Sequence, residues 1–568
     1  MVKQSAWSGD RRTTANREPF LWHNTCSQPW LHVSFGRLEA ATTARRMKFS
    51  EIINDQQLAT EAVRRWTTTA ICVAIAILTA YWIASAQFFL LAVLSGVAVA
   101  AFVTVGLQRN AWILIAFAWC FRGEIHALPV PLETRDIVVL LVTFAYVAQR
   151  VVGQVTRRSK GVLGAIVFIN FFYFAFTFVL HPVGFHALGA TTMGGRPYFS
   201  AFIGLCAYWV LVHMPESYNG VARIPVWLLA GMTFSTAVAA IVYIAPSLTP
   251  YVWYFYSEVD TSGYLQEIYN PAETGVSEIH RLGTFGPFGL MLIQFMAAYF
   301  PPSKFLNPAR WQFYLIALGA LAILASGFRN TLAWALASIA LAAWFYRGWR
   351  EVIIGGLLGA VLLGFLCYGQ GRFFDLPLDA QRTLGSLPGQ WDDRIKSAIE
   401  ISNARYQWWN QLFQQGLVKN WWFGDGFGVS ETDYNLIAGG TVGFYEAAEV
   451  TGSLHNGLMT TIRYAGLVGL VVFYSLMIAT AAYAVKLVAR CRGTPLFPAA
   501  VFLAVDVCWR PVHFTFFFGG YNTALPEQVF LAGLLTVLWH MSERQPLPTA
   551  RTASARPLSP TNRATQYM

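Results

Sequence analysis

Charged residues are scarce in this chain: Asp, Glu, Lys and Arg together make up 12% of its 568 residues, against roughly 25% in a soluble domain. That shortage excludes an ordinary water-soluble fold. Cysteine is sparse as well. Cys26, Cys72, Cys120, Cys206, Cys367, Cys491 and Cys508 include no CxxC pair and no metal-ligand spacing, and their mostly apolar settings predict small core fillers. Carboxylate pairs of the Asp-x-Asp kind are missing from the stretch between Gly369 and Leu454, so neither a metal nor a cofactor is expected. Asp392 and Asp393 stand beside Arg394 and predict instead the start of a solvated helix. A cleavable signal pattern is absent from the first 46 residues, which are polar and rich in Thr and Arg.

What the chain does contain is apolar: 55% hydrophobic and 15% aromatic residues. Between Arg65 and Arg109 no formal charge interrupts the sequence, which is room for two crossings of roughly 20 residues each. A window of roughly 19 residues predicts about 14 spans, near 67–85, 88–107, 110–127, 136–153, 162–180, 197–214, 224–245, 284–300, 312–327, 330–347, 351–368, 456–485, 496–513 and 525–541. The predicted fold class is therefore all-α, a polytopic transmembrane helical bundle of about 12–14 spans with a large extracytoplasmic loop. Residues 1–46 read as a disordered extension ahead of Met47, which opens a stretch resembling a natural start. An N-terminal transmembrane bundle is expected over 47–280, a core over 281–541 that includes the outer loop 369–454, and a disordered cytoplasmic tail over 542–568.

The net charge of +11 does not point to nucleic acid, because the positives punctuate spans rather than cluster on a soluble face. With the N-terminus inside, Arg109, the Arg157/Arg158/Lys160 cluster, Arg223, Lys304/Arg310, Arg347/Arg350, Lys486/Arg490/Arg492 and Arg544 all fall on the cytoplasmic side, as the positive-inside tendency asks. Arg196, Arg281 and Arg329 break that pattern by standing at outer ends of spans. An ionised group there needs a partner or an aqueous cavity, and three together suggest an anion site, with snorkelling or pairing to Glu278 or Asp425 as the alternative.

Four segments carry a family resemblance. HNGLMTTIRYAGLVGL supplies His455, Asn456, Gly466 and Gly469; RLGTFGPFGLML supplies Arg281 and Gly283; SGFRNTLAWALA supplies Arg329; and NARYQWWNQLFQQGLVKNWWFGDGFG supplies Arg405, Trp408, Gly424, Gly426 and Gly428. In this order and at this spacing they resemble the bacterial O-antigen ligase and O-antigen polymerase family over roughly residues 281–470, about a third of the chain. Tyr464, Phe328 and Pro287 depart from residues common there, which bears on substrate class rather than reaction type.

The resemblance implies a glycosyltransferase of lipopolysaccharide or exopolysaccharide biosynthesis, in the cell inner membrane with its active site on the periplasmic side. Its donor would be a glycan on undecaprenyl diphosphate. Its acceptor would be a hydroxyl of another glycan, of the lipid A core, or of a protein. Guanidinium groups of Arg281, Arg329 and Arg405 would stabilise the departing diphosphate through planar, permanently charged donors, each worth about 3 kcal/mol of barrier, roughly a hundredfold in rate. His455, at a helix start whose dipole disfavours added positive charge, would accept the acceptor's proton, contributing roughly 10² to 10⁴ in rate. Direct displacement of this kind inverts the anomeric centre. Arg196, Asn456 and Trp408 would bind substrate, alongside membrane lipids around the bundle. As a lone residue, His455 also fits a helix-capping role, and Asn456 a simple cap.

Other features read more plainly. The GDGFG stretch at 424–428 is predicted to be a turn, since no dinucleotide-binding unit surrounds it. The clusters Trp408/Trp409, Trp421/Trp422 and Tyr251 to Tyr256 match an interfacial aromatic belt, with stacking on sugar rings as the alternative. Asp506 and Arg510, four apart in an apolar run, are predicted to pair. The rival functional class is a secondary transporter of an anionic solute, with His455 relaying protons; it would call for a mid-bilayer site and an internal repeat, and no repeat is apparent.

Overall fold

The computed structural model describes residues 107 and 110–544 apart from 122, 126–131, 152–160, 184–193, 214–216, 257–281, 306 and 429–453, with the side chains of 246, 253–255 and 397–406 outside the description. The predicted spans at 67–85 and 88–107 lie outside the described residues, save for the last residue of the second. So do the extension 1–46 and most of the tail. All described residues belong to one compact unit, Val97–Met568.

The protein is an all-α helical bundle. Its first described elements are α1 (Trp112–Ala118), a strand pair β1 (Glu124–Ile125) and β2 (Leu132–Glu133), and the helices α2 (Thr134–Val151), α3 (Val162–Leu180), α4 (Arg196–His213), α5 (Tyr218–Ala222), α6 (Ile224–Ile244) and α7 (Thr249–Phe255). There follow α8 (Phe285–Tyr299), α9 (Pro302–Phe305), α10 (Trp311–Ser326), α11 (Arg329–Arg347) and α12 (Trp349–Gly369). An outer segment holds α13 (Leu378–Leu384) and α14 (Asp393–Gln414), and α15 (Gly457–Cys491), α16 (Phe497–Phe516) and α17 (Tyr521–Glu543) complete the bundle.

Six of the described helices, α3, α6, α12, α15, α16 and α17, are long and apolar enough to cross a membrane, which makes this a multi-pass membrane protein. Their limits fall close to those expected from hydropathy. The span expected at 110–127 is the exception. There the helix stops at Ala118, and the chain turns into a short antiparallel pair that matches Glu124 with Glu133. Seven helical residues rise only about 10 Å, a third of a bilayer core. The reason for the turn is electrostatic: it delivers Glu124 and Glu133 to Arg196, which lies within 3.7, 3.5 and 3.4 Å of Glu124, Glu133 and Asp136.

Close helix crossings build the core. α4 packs most extensively on α17 and α8 on α10, in each case through small residues that let backbones approach, as membrane helices require. A side chain at Gly204 would meet Pro526, and one at Gly289 would run into the backbone of Gly319. The main core joins α1, α2, α4, α8, α16 and α17 around Trp112, Ile203, Leu503 and Leu534. The outer segment is fastened separately, by Leu384, Trp391 and Ile395 against Cys367, with Leu324 and Leu332 beside them.

Candidate functional site

The long helix α15 is broken near its start. Gly466 has φ 67°, ψ −173°, inside what is otherwise continuous helix. In an unbroken helix Leu467 N–H would donate to Arg463 C=O, and Val468 N–H to Tyr464 C=O. Both rungs are opened here and filled by the outer segment. Leu467 N donates to Trp421 O (2.8 Å) and Val468 N to Trp422 O (3.1 Å), while Arg463 O accepts from Asp425 N (2.8 Å) and Tyr464 O from Gly426 N (3.0 Å). All four groups of the two opened rungs are partnered, which is what lets the break persist beside apolar surroundings. A side chain at Gly466 would collide with the Trp422 carbonyl, so only glycine fits there. His181 approaches Gly424 O at 3.1 Å and Asp425 forms an ion pair with Arg463, completing a clip between the GDGFG turn and α15. The turn expected at 424–428 is thus a turn with a binding partner.

His455 lies just before this helix. It is the only described residue other than glycine with positive φ, at 53°. Such a conformation costs a non-glycine residue on the order of 1–3 kcal/mol and concentrates at functional positions. Asn456 is the N-cap, accepting from Met459 N at 3.1 Å and directing its amide toward Thr515 O at 3.5 Å. The His455 ring stacks on Phe518 at 5.6 Å between centroids. Immediately upstream, Trp409 of α14 donates to Leu454 O at 3.0 Å. Trp409 therefore ties α14 to the residue ahead of the histidine, and Trp408 lies half-buried beside it.

Phe518 also lines a cavity of about 390 Å³ between α8, α11, α16 and α17. Inside it Arg510 donates to Asp506 at 2.9 Å, as their spacing predicts, and to Glu527 at 2.8 Å. Trp334 lies 5.5 Å from that guanidinium and 4.4 Å from the His513 ring. His513 Nε2 in turn is 3.5 Å from the Asn330 amide. Arg510, His513, Asn330, Trp334 and Glu527 were not marked as a site by sequence. The available signal was the run DVCWRPVHF, in which three ionisable groups interrupt an apolar helix.

The expected site residues distribute as follows. Arg329 begins α11, next to the cavity-lining Asn330, with Nε on Arg382 O at 3.1 Å and Nη1 on Ser386 Oγ at 3.3 Å. Arg281 lies outside the described residues. Three positions later, Thr284 lines the cavity, and Gly286 lies against Ser326 and Phe328, so this segment and that of Arg329 share one end of the bundle. Arg405 lies on α14 one turn before Trp409; its side chain is outside the description. Arg196 is not brought to the cavity: it is 1% exposed, and its Nη2 lies within 3.7 Å of three carboxylates, a charge environment that disfavours a phosphate. Among the described residues no group of three His, Cys, Asp or Glu side chains is placed to hold a metal ion.

No protein-family model matches the chain, and no curated protein matches it.

Proposed function

We propose that this protein is a membrane glycosyltransferase that moves a glycan from a polyprenyl-diphosphate carrier to an acceptor hydroxyl, in the manner of the O-antigen ligases and polymerases its motifs resemble. The observation that carries the reading is a chain of contacts linking three of the four motif segments to residues that line or adjoin one cavity. His455 stacks on cavity-lining Phe518, Arg329 adjoins cavity-lining Asn330, and the helix bearing Arg405 bonds to Leu454. The fourth segment reaches the same cavity through Thr284.

In the proposed reaction the acceptor oxygen attacks the anomeric carbon as its proton passes to the His455 imidazole. The new C–O bond forms as the bond from that carbon to the diphosphate oxygen breaks, and the electron pair leaves with the lipid diphosphate. Arg329, with Arg281 and Arg405, meets the charge that develops there. The imidazolium then releases its proton to water. The cavity would admit the donor, and the site would lie on the periplasmic side of the inner membrane. An anion transporter is less well supported, because Arg510, the cation inside the cavity, is already held by two carboxylates and the cluster has a net charge of −1.

A His455→Ala strain tests the proposal. With protein levels unchanged it should lose surface glycan and accumulate lipid-linked donor, a rate loss of roughly 10² to 10⁴. A normal surface glycan in that strain overturns the reading; so does loss of solute uptake with glycan intact. In a deletion strain, single-repeat caps without a ladder identify a polymerase, and long chains stranded on the carrier identify a ligase.

A further inference from the structure

Helix α12 is the most lipid-like surface of the described bundle, with a mean hydropathy of 2.2 and only 11% of its apolar window buried. Near its C-terminal end this bare face is notched. At Gly364 nothing lies within 4 Å of where a side chain would be, and Leu363, Cys367 and the Leu387–Gly389 turn wall a groove of about 610 Å³. From Ala360 to Tyr368 it runs along about 12 Å of helix. Its lining is apolar except for Gln390 and Arg372, which flank Gly371, and Arg372 lies 4.1 Å from the Tyr368 ring. No carboxylate pairs with Arg372 among the described residues. An apolar trough closed by an unneutralised guanidinium is the charge and polarity complement of an acyl chain with a phosphate at its head, and arginine meets phosphate through paired, charge-assisted donors.

We propose that this groove holds one acyl chain of an anionic phospholipid, with the lipid phosphate on Arg372. The groove shares no lining residue with the cavity and does not rest on the glycosyl-transfer reading. Its Tyr368 ring backs the guanidinium, and Gly364 leaves the volume the chain occupies.

The test uses the full chain purified in detergent, exposed to mixed micelles of phosphatidylglycerol and phosphatidylcholine, with retained lipid counted by native mass spectrometry. The wild type should hold one phosphatidylglycerol in preference to phosphatidylcholine. Gly364→Phe, which fills the trough from a lipid-facing position, should abolish that preference with its thermal unfolding temperature unchanged. Arg372→Gln should bind phosphatidylglycerol about fivefold more weakly, the loss of one interfacial cation. Equal retention of the two lipids by the wild type, or unchanged retention by Gly364→Phe, overturns the proposal. A dimeric mass that Gly364→Phe dissociates, with no lipid held, also overturns it and assigns the face to a second copy of the chain.

Discussion

Asp425 and Arg463 pair across 38 residues of sequence, joining the outer segment to the first turns of α15. Both are mostly buried, at 12% and 15% side-chain exposure, and Asp425 also accepts from Asn420 N at 2.9 Å and Lys419 N at 3.1 Å. Asp425→Asn should therefore weaken a charge-assisted network by about 1–3 kcal/mol. The measurement is limited proteolysis around residues 415–428, which should become faster than in the wild type. The Asp425→Arg, Arg463→Asp double exchange should recover part of the protection that either single reversal loses.

Gly466→Ala should be costlier. Its φ of 67° is unfavourable for alanine, and the new methyl would run into the Trp422 carbonyl. A loss of at least about 1–3 kcal/mol is expected, read as a lower thermal midpoint in detergent. Gly469→Ala, whose methyl would meet side chains of Ala465 and Tyr173, should lose less. Equal losses would refute the claim that the backbone break is specific to Gly466.

His455→Gly separates fold from chemistry. Glycine adopts φ 53° without penalty, so the variant should be as stable as the wild type or more stable by up to about 1 kcal/mol. The proposed glycan transfer should nonetheless be lost. A variant that is both inactive and unstable would place His455 in the architecture rather than the chemistry.

Arg510→Met should be among the most damaging single changes. It leaves Asp506 and Glu527 together in the cavity without their counter-ion, and removing one partner of a buried pair costs about 3–5 kcal/mol. Combining it with Asp506→Asn and Glu527→Gln should restore folding, measured by monodisperse yield in detergent. Failure of that rescue would show that Arg510 does more than balance charge.

At Asp392 the expected effect is a pH dependence. Side-chain and backbone hydrogen bonds from Arg394 hold its carboxyl below the usual 3.8. A depressed folded value means the N-cap contribution is complete above pH 3.8 and fades as pH falls through the lowered value. Amide exchange in the first turn of α14, corrected for its intrinsic rate, should accelerate in that acid range, and Asp392→Asn should remove the dependence.

Much of the bundle was legible because hydropathy alone sets the length of an apolar helix. Val162–Leu180 and Ile224–Ile244 fall within a residue of the expected limits. The region after Trp112 was misread for the same reason: its apolar run hides a turn whose cause, the counter-ion demand of Arg196, lies more than 70 residues downstream of Glu124 in sequence but 3.7 Å away in space. The motif spacing flagged His455 and Asn456, since both sit at a helix boundary that sequence marks. Trp409, Asn330 and His513 were missed because their relevance depends on which helix ends meet. The pairing of Asp506 with Arg510 was visible from a four-residue interval, whereas Glu527 arrives from another helix. Gly466 was noted, but its broken rungs depend on a strand of backbone about 40 residues earlier.

The two attachments that flank His455 come from the same outer segment: Trp409 holds the carbonyl just ahead of it, and the Trp421–Gly426 stretch is laid into the helix just behind it. The backbone on either side of the imidazole is therefore tied to the same outer segment. The aim of the imidazole follows the position of α14 and the turn after it, so a substitution that displaces those parts should re-aim the ring without touching it.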